Sequence, residues 1–281
     1  MRVPHEWTCP TCGVSLQTPF CAQCGEQPVP ARDLTLRGIV DRFLKAFTSL
    51  AGRVMRSFGM LLRHPGSLTV AFLQGVRKQY ASPVQLFLLA NVLLFAAQSL
   101  TRTNIFGSSL QSHLHQQDWS ALAGSLVAQR LERTQITLDA YEPAFDRAVV
   151  LNAKSLVILM VPVFAGFLAL LFVRRRKPLM THVVFSLHFY AFLMLLFSLA
   201  LVAAALQQWL GGGGLDSPRV DTVLSIINVT ACAAYLFLAM GPAYGARGLV
   251  RVLQSGVAAV AVGGLVLGYR FILLLITLTW T

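Results

Sequence analysis

Gly75-Val-Arg-Lys-Gln-Tyr-Ala-Ser-Pro83 decides how this chain is read, because it is the last polar material before an uncharged run, Val84 to Leu100. Upstream of it the chain is basic; downstream it is mostly apolar. We therefore expect it to mark the joint between a cytoplasmic head and a first membrane span. The composition agrees. Of 281 residues, 56% are hydrophobic and only 12% charged, whereas charged residues make up about a quarter of ordinary soluble chains. Twenty-three Lys and Arg against eleven Asp and Glu leave a net charge of +12. Ten of those basic residues lie in 1–83, and four more form Arg174-Arg-Arg-Lys177 beside an apolar run. Cations placed this way orient membrane helices and attract anionic head groups.

Apolar runs long enough for a hydrocarbon core about 30 Å thick are read at Val84–Leu100, Ser155–Val173, Thr181–Leu206, Val220–Tyr244 and Gly256–Trp280. The first thirty residues hold four cysteines and several prolines but no apolar core of a secretory signal, so the amino terminus is expected in the cytoplasm. Segments 1–83, 174–180 and 245–255 then face inward with sixteen Lys and Arg, and segments 101–154 and 207–219 face outward with six. The carboxyl terminus is expected outside. The fold class is thus an all-α polytopic membrane protein of about five spans. A small N-terminal four-cysteine zinc ribbon (1–30) and a basic amphipathic interfacial segment (31–83) come first. The membrane domain (84–281) carries an outer helical insertion at 101–154.

Upstream of the joint, Cys9-Pro-Thr-Cys12-Gly and Cys21-Ala-Gln-Cys24-Gly are two CxxC turns. Two residues between cysteines let both thiolates face one ion while backbone amides point at sulfur, and the following glycine permits the tight turn. Four thiolates would close a tetrahedral zinc site with no open position, which is structural chemistry rather than catalysis. Iron in the same cage and a pair of disulfides remain as alternatives. His5 is a spare ligand or a surface residue. Thirty residues cannot bury a core, so a metal would have to supply the folding energy, about 10 kcal/mol or more. Between Cys9 and Cys24 there is no Lys or Arg, so no nucleic-acid binding is expected.

From Leu36 to Leu62 apolar residues recur at helical spacing, with Arg42, Lys45, Arg53, Arg56 and Arg63 opposite them. Such a helix suits the bilayer surface, with its cations on anionic head groups; packing on the protein's own spans or on a partner copy is the other reading. His64-Pro65-Gly66 should end it, and Ser67 could cap a short second helix from Leu68 to Tyr80. Pro83 suits the first turn of the span that follows. Paired CxxCG turns, a basic linker, Pro65-Gly66, and then Gly75, Arg77, Tyr80 and Pro83 at the opening of a span resemble a bacterial family known as domain of unknown function 3667. The resemblance covers roughly residues 9–100. It implies an inner-membrane protein with a cytoplasmic zinc ribbon, and it brings no activity.

In the outer segment, Asp118 can cap a helix carrying Trp119, Leu122 and Leu126. No Asp or Glu lies in a span interior, which argues against a carboxylate proton relay. Four polar residues do lie there: Asn91 and His188 at one depth, Asn228 and Arg270 at another. Matched depth makes contact feasible. Arg270 could bind an anion or lipid phosphate, or snorkel to head groups. Pro162 and Gly166 should kink the second span. No nucleophile–base pair, HExxH or paired carboxylate is found, which argues against an enzyme. Two functional expectations follow: a docking module whose ribbon recruits a cytoplasmic protein to the membrane, or a small transporter or channel for an anionic or lipid-like substrate. Oligomeric state is not legible.

Overall fold

The computed structural model describes residues 7–18, 20–24, 36–101 and 108–281. The chain divides into two compact units, Met1–Arg53 and Val54–Thr281. His5 and residues 25–35, which the ribbon and linker readings include, lie outside the described residues, as does Arg102 at the head of the outer segment.

In the first unit, β1 (Trp7–Thr8) pairs antiparallel with β2 (Ser15–Leu16), Trp7 opposite Leu16 and Thr8 opposite Ser15. Helix α1 (Leu36–Arg63) follows, its residues up to Arg53 counted in this unit and those from Val54 in the second. Its cationic face at Arg42 and Lys45 falls on side chains outside those described, but from Leu50 onward the apolar stripe can be followed. Leu61 is buried, while Met55 and Leu62 stand 71% and 49% exposed. The stripe is therefore wider than the protein core covers.

The second unit is helical. After α2 (Ser67–Leu73) come α3 (Pro83–Thr101), α4 (Leu110–His115), α5 (Ser120–Thr134) and α6 (Leu138–Leu156). Then follow α7 (Met160–Leu171), α8 (Leu179–Trp209), α9 (Pro218–Tyr244) and α10 (Gly248–Trp280). Among the described residues, α3, α8, α9 and α10 are each long and apolar enough to cross a membrane. The bent pair α6–α7 makes a fifth if counted as one span. Helix α8 is the hub: it packs most extensively on α3 and also touches α2, α7 and α9. Every residue from Val184 to Met194 on it is buried. Large apolar side chains elsewhere point outward, Leu170 and Val260 at 75% and 77% exposure among them. A soluble protein does not carry apolar surface on this scale, and hydrocarbon is the solvent that suits it.

Three local readings need correction. The bend in the second span is not at Pro162–Gly166, which lie within one helix: it falls between Ala153 and Val157, where the segments Leu138–Ala153 and Val157–Leu171 meet at 47°. Pro162 lies in the first turn of α7, where its missing amide leaves no bond unmade inside that helix. The short second helix ends at Leu73 rather than Tyr80, and Ser67 is its first residue without a capping bond, Gly66 taking the cap position. Asp118 does not cap α5 either; Trp119 holds that position, with no side-chain bond.

Candidate functional site

The first candidate is built by the β1–β2 hairpin. Gly13 takes φ +70°, a left-handed conformation that glycine adopts without strain. Its amide returns to the Cys9 carbonyl at 2.9 Å while the Cys9 amide donates to the Val14 carbonyl. That tight turn presents Cys9 and Cys12 to the second knuckle. Trp7 Nε1 donates to the Thr18 carbonyl at 2.8 Å, tying the hairpin to the segment that delivers Cys21 and Cys24.

The four sulfurs of Cys9, Cys12, Cys21 and Cys24 lie within 4.8 Å of one another, and all four thiols are unbridged. Cys9 and Cys24 approach to 3.5 Å. In a tetrahedral ZnS4 shell with bonds near 2.3 Å, sulfurs stand about 3.8 Å apart, so the donor set fits a metal ion. The backbone N–H of Cys24, helped by that of Gln23, faces the Cys21 sulfur and lowers its thiol from 9.0 to about 7. A hydrogen bond with Cys24 pulls Cys12 the same way. Desolvation and the neighbouring Cys21 and Cys9 sulfurs outweigh it and push Cys12 up. Crowded thiolates repel, and a cation among them removes that repulsion.

The motif around the joint is a structural clamp. Gly66, at φ +84°, approaches α9 so closely that a Cβ would sit 2.4 Å from the Ala239 carbonyl oxygen. Buried Ser57 accepts the Ala81 amide at 2.8 Å, and Arg56 donates to the Gln79 carbonyl. Gly75 takes φ +88°, and the exposed Arg77 guanidinium stands 5.3 Å from the Phe72 ring centroid. Tyr80 is half-buried against the core. Pro83 opens α3 behind a reciprocal cap: Ser82 N–H donates to Gln85 Oε1, and Gln85 N–H to Ser82 Oγ. The Ser-x-x-Gln spacing was there to be read as a capping box; Ser57 carries no comparable signal.

Matched depth does not bring Asn91 and His188 into hydrogen bonding. Asn91 Nδ2 donates to the Phe87 carbonyl of its own helix, and His188 Nδ1 lies 2.9 Å from Thr69 Oγ1 on α2. Asn228 and Arg270, in contrast, line one cavity of about 370 Å³ between α8, α9 and α10. Asp221 and Ser225 line it too. Sequence reading gave these two no role. Their signal is the spacing Asp221, Ser225, Asn228, which places all three on one face of α9. Asn228 Oδ1 is buried without a hydrogen-bond partner among the described residues.

The outer segment packs onto this end of α10. Trp119 meets Phe271 edge-on at 5.5 Å, and its Nε1 donates to His113 Nδ1 at 3.2 Å. Burial, with the Arg270 charge adding to it, pushes His113 down to about 4.

Residues 52–95 match the model of a family described as "Protein of unknown function (DUF3667)". No curated protein and no solved structure matches the chain.

Proposed function

We propose that the chain is a multi-pass anchor of the bacterial inner membrane whose zinc-bearing head faces the cytoplasm and docks a protein partner there. The observation that carries this reading is the convergence of four cysteine sulfurs, none in a disulfide, within 4.8 Å. A closed four-thiolate shell holds zinc as structure and leaves no coordination position for substrate, so what it supports is a folded surface. Thiols at this spacing persist in a reducing compartment. The excess of Lys and Arg on the segments assigned inward favours the same side. The half-exposed apolar stripe of α1 and exposed Arg56 and Arg63 would rest that helix on anionic head groups beside the partner.

The test uses intact cells. A membrane-impermeant maleimide should leave Cys9, Cys12, Cys21 and Cys24 unlabelled until the membrane is opened. Crosslinking from native membranes, with and without residues 1–30, should then lose the partner on truncation. Labelling in intact cells, or an unchanged set of partners, would overturn the reading. A second reading, carriage of an anionic or lipid-like substrate, is favoured by the Arg270 cavity. Uptake into vesicles holding the full chain and its Arg270→Gln variant tests it.

A further inference from the structure

The cavity at Arg270 does not end in a wall. Phe197, Asn228, Val229 and Val266 line it, and the same four residues line an apolar groove of about 200 Å³ that continues along the helices past Leu193, Cys232, Ala259, Val262 and Gly263. On α9 the pair of spaces runs from Asp221 to Cys232, and on α10 from Arg270 to Ala259. Each is eleven residue-to-residue steps, roughly 16 Å along the axis at about 1.5 Å per step. Every charged and hydrophilic lining group (Asp221, Ser225, Asn228, Arg270) is in the upper space, and Asn228 sits at the neck. The polarity therefore changes along the helix axes as it does along a lipid molecule. Opposite charges at the polar end add a second constraint, since a guanidinium matches phosphate and a carboxylate matches ammonium.

We propose that this continuous space is a binding site for one phospholipid with a primary-amine head group. Arg270 and the Asn228 amide hold the phosphate, Asp221 takes the ammonium, and an acyl chain lies in the groove beside Gly263. Arg270 is half-buried at this position, and a guanidinium, with five N–H donors in a planar fork, can take a phosphate alongside the contacts it already makes. The upper space, about 370 Å³, is within the range of small-molecule sites. Binding is independent of both the docking and the transport readings, because it is measured on the purified chain alone.

Native mass spectrometry of the full chain in detergent, titrated with palmitoyl-oleoyl phosphatidylethanolamine, phosphatidylglycerol or phosphatidylcholine, decides the question. Wild type should hold the ethanolamine lipid about tenfold more tightly than the other two, the worth of one charge-assisted contact. Asp221→Asn should erase that preference and keep binding. Arg270→Gln should weaken all three lipids. Gly263→Leu fills open space, since nothing lies within 4 Å of a Cβ there. It should weaken every diacyl lipid while glycerophosphoethanolamine, the free head group, binds as weakly to this variant as to wild type. An ethanolamine lipid bound no better than the glycerol or choline lipid would overturn the proposal. So would Gly263→Leu binding as well as wild type, or the free head group binding as tightly as the lipid.

Discussion

Arg251 of α10 reaches across to α9 and donates through its guanidinium to the carbonyl of Leu238, at 3.1 Å. Leu238 is four residues before Pro242, and a proline has no amide with which to complete that helical bond. The same guanidinium donates to the Phe237 carbonyl and lies 4.2 Å from the Phe237 ring centroid. One cation thus replaces the donor that the proline removed.

Arg251→Gln should accordingly lower stability by about 1–2 kcal/mol, the range for a partly solvated charge-assisted bond. In a Pro242→Ala background the Leu238 carbonyl regains a backbone partner, so the same substitution should cost less than half as much. Thermal melting of the four proteins in detergent gives the cycle. Equal costs in both backgrounds would show that Arg251 contributes by packing alone.

Gly66 and Gly75 separate backbone conformation from crowding. Both have positive φ, but a Cβ at Gly75 meets nothing within 4 Å, while at Gly66 it strikes the Ala239 carbonyl and Cα. Gly75→Ala should cost about 1–2 kcal/mol, the left-handed penalty. Gly66→Ala adds the displacement of α2 from α9 and should cost about 3 kcal/mol or more. Comparable melting temperatures for the two variants would contradict the close approach.

For the metal centre, Cys12→Ser with Cys24→Ser should remove bound metal from the full chain, measured by elemental analysis, and make the head protease-sensitive. Membrane insertion should be untouched, since the apolar helices lie in the other unit. Two sulfurs cannot close a tetrahedral shell, and without the ion a segment this short has no other large source of folding energy. Metal retained at the wild-type ratio would refute the ligand assignment.

How much of this was legible before folding depends on whether a property is local. The boundaries of α3, α8 and α9 and the end of α10 lie within a few residues of the apolar runs that announce them, because apolar length is written in consecutive residues. Only the start of α10 moved appreciably, from Gly256 to Gly248. The knuckles were legible for the same reason: CxxCG is its own spacing. Readings failed where a distant neighbour decides. The bend between Ala153 and Val157 falls where α6 and α7 each pack on α10, a helix far along the chain, and Asp221 acquires significance only when α10 brings Arg270 to the same cavity. Pro65-Gly66 could be recognised as a turn, but its partner, Ala239, is on another helix far along the chain.

His113 offers a pH readout of the outer segment. Its Nδ1 accepts from Trp119 Nε1, so protonation there would break that bond and place a second cation near Arg270. Its folded pKa, about 4, lies below the ordinary 6.5, and the unfolded chain therefore binds more protons between these values. Stability should be fully present above about pH 6.5 and fall as pH drops toward about 4, by up to about 1.4 kcal/mol per pH unit. His113→Gln cannot take up the proton and should flatten that part of the profile. Its melting temperature at pH 5 should move closer to its own value at pH 7 than the wild type's does. Parallel profiles for the two proteins would show that His113 is protonated in the folded state, and that Trp119 finds its acceptor elsewhere.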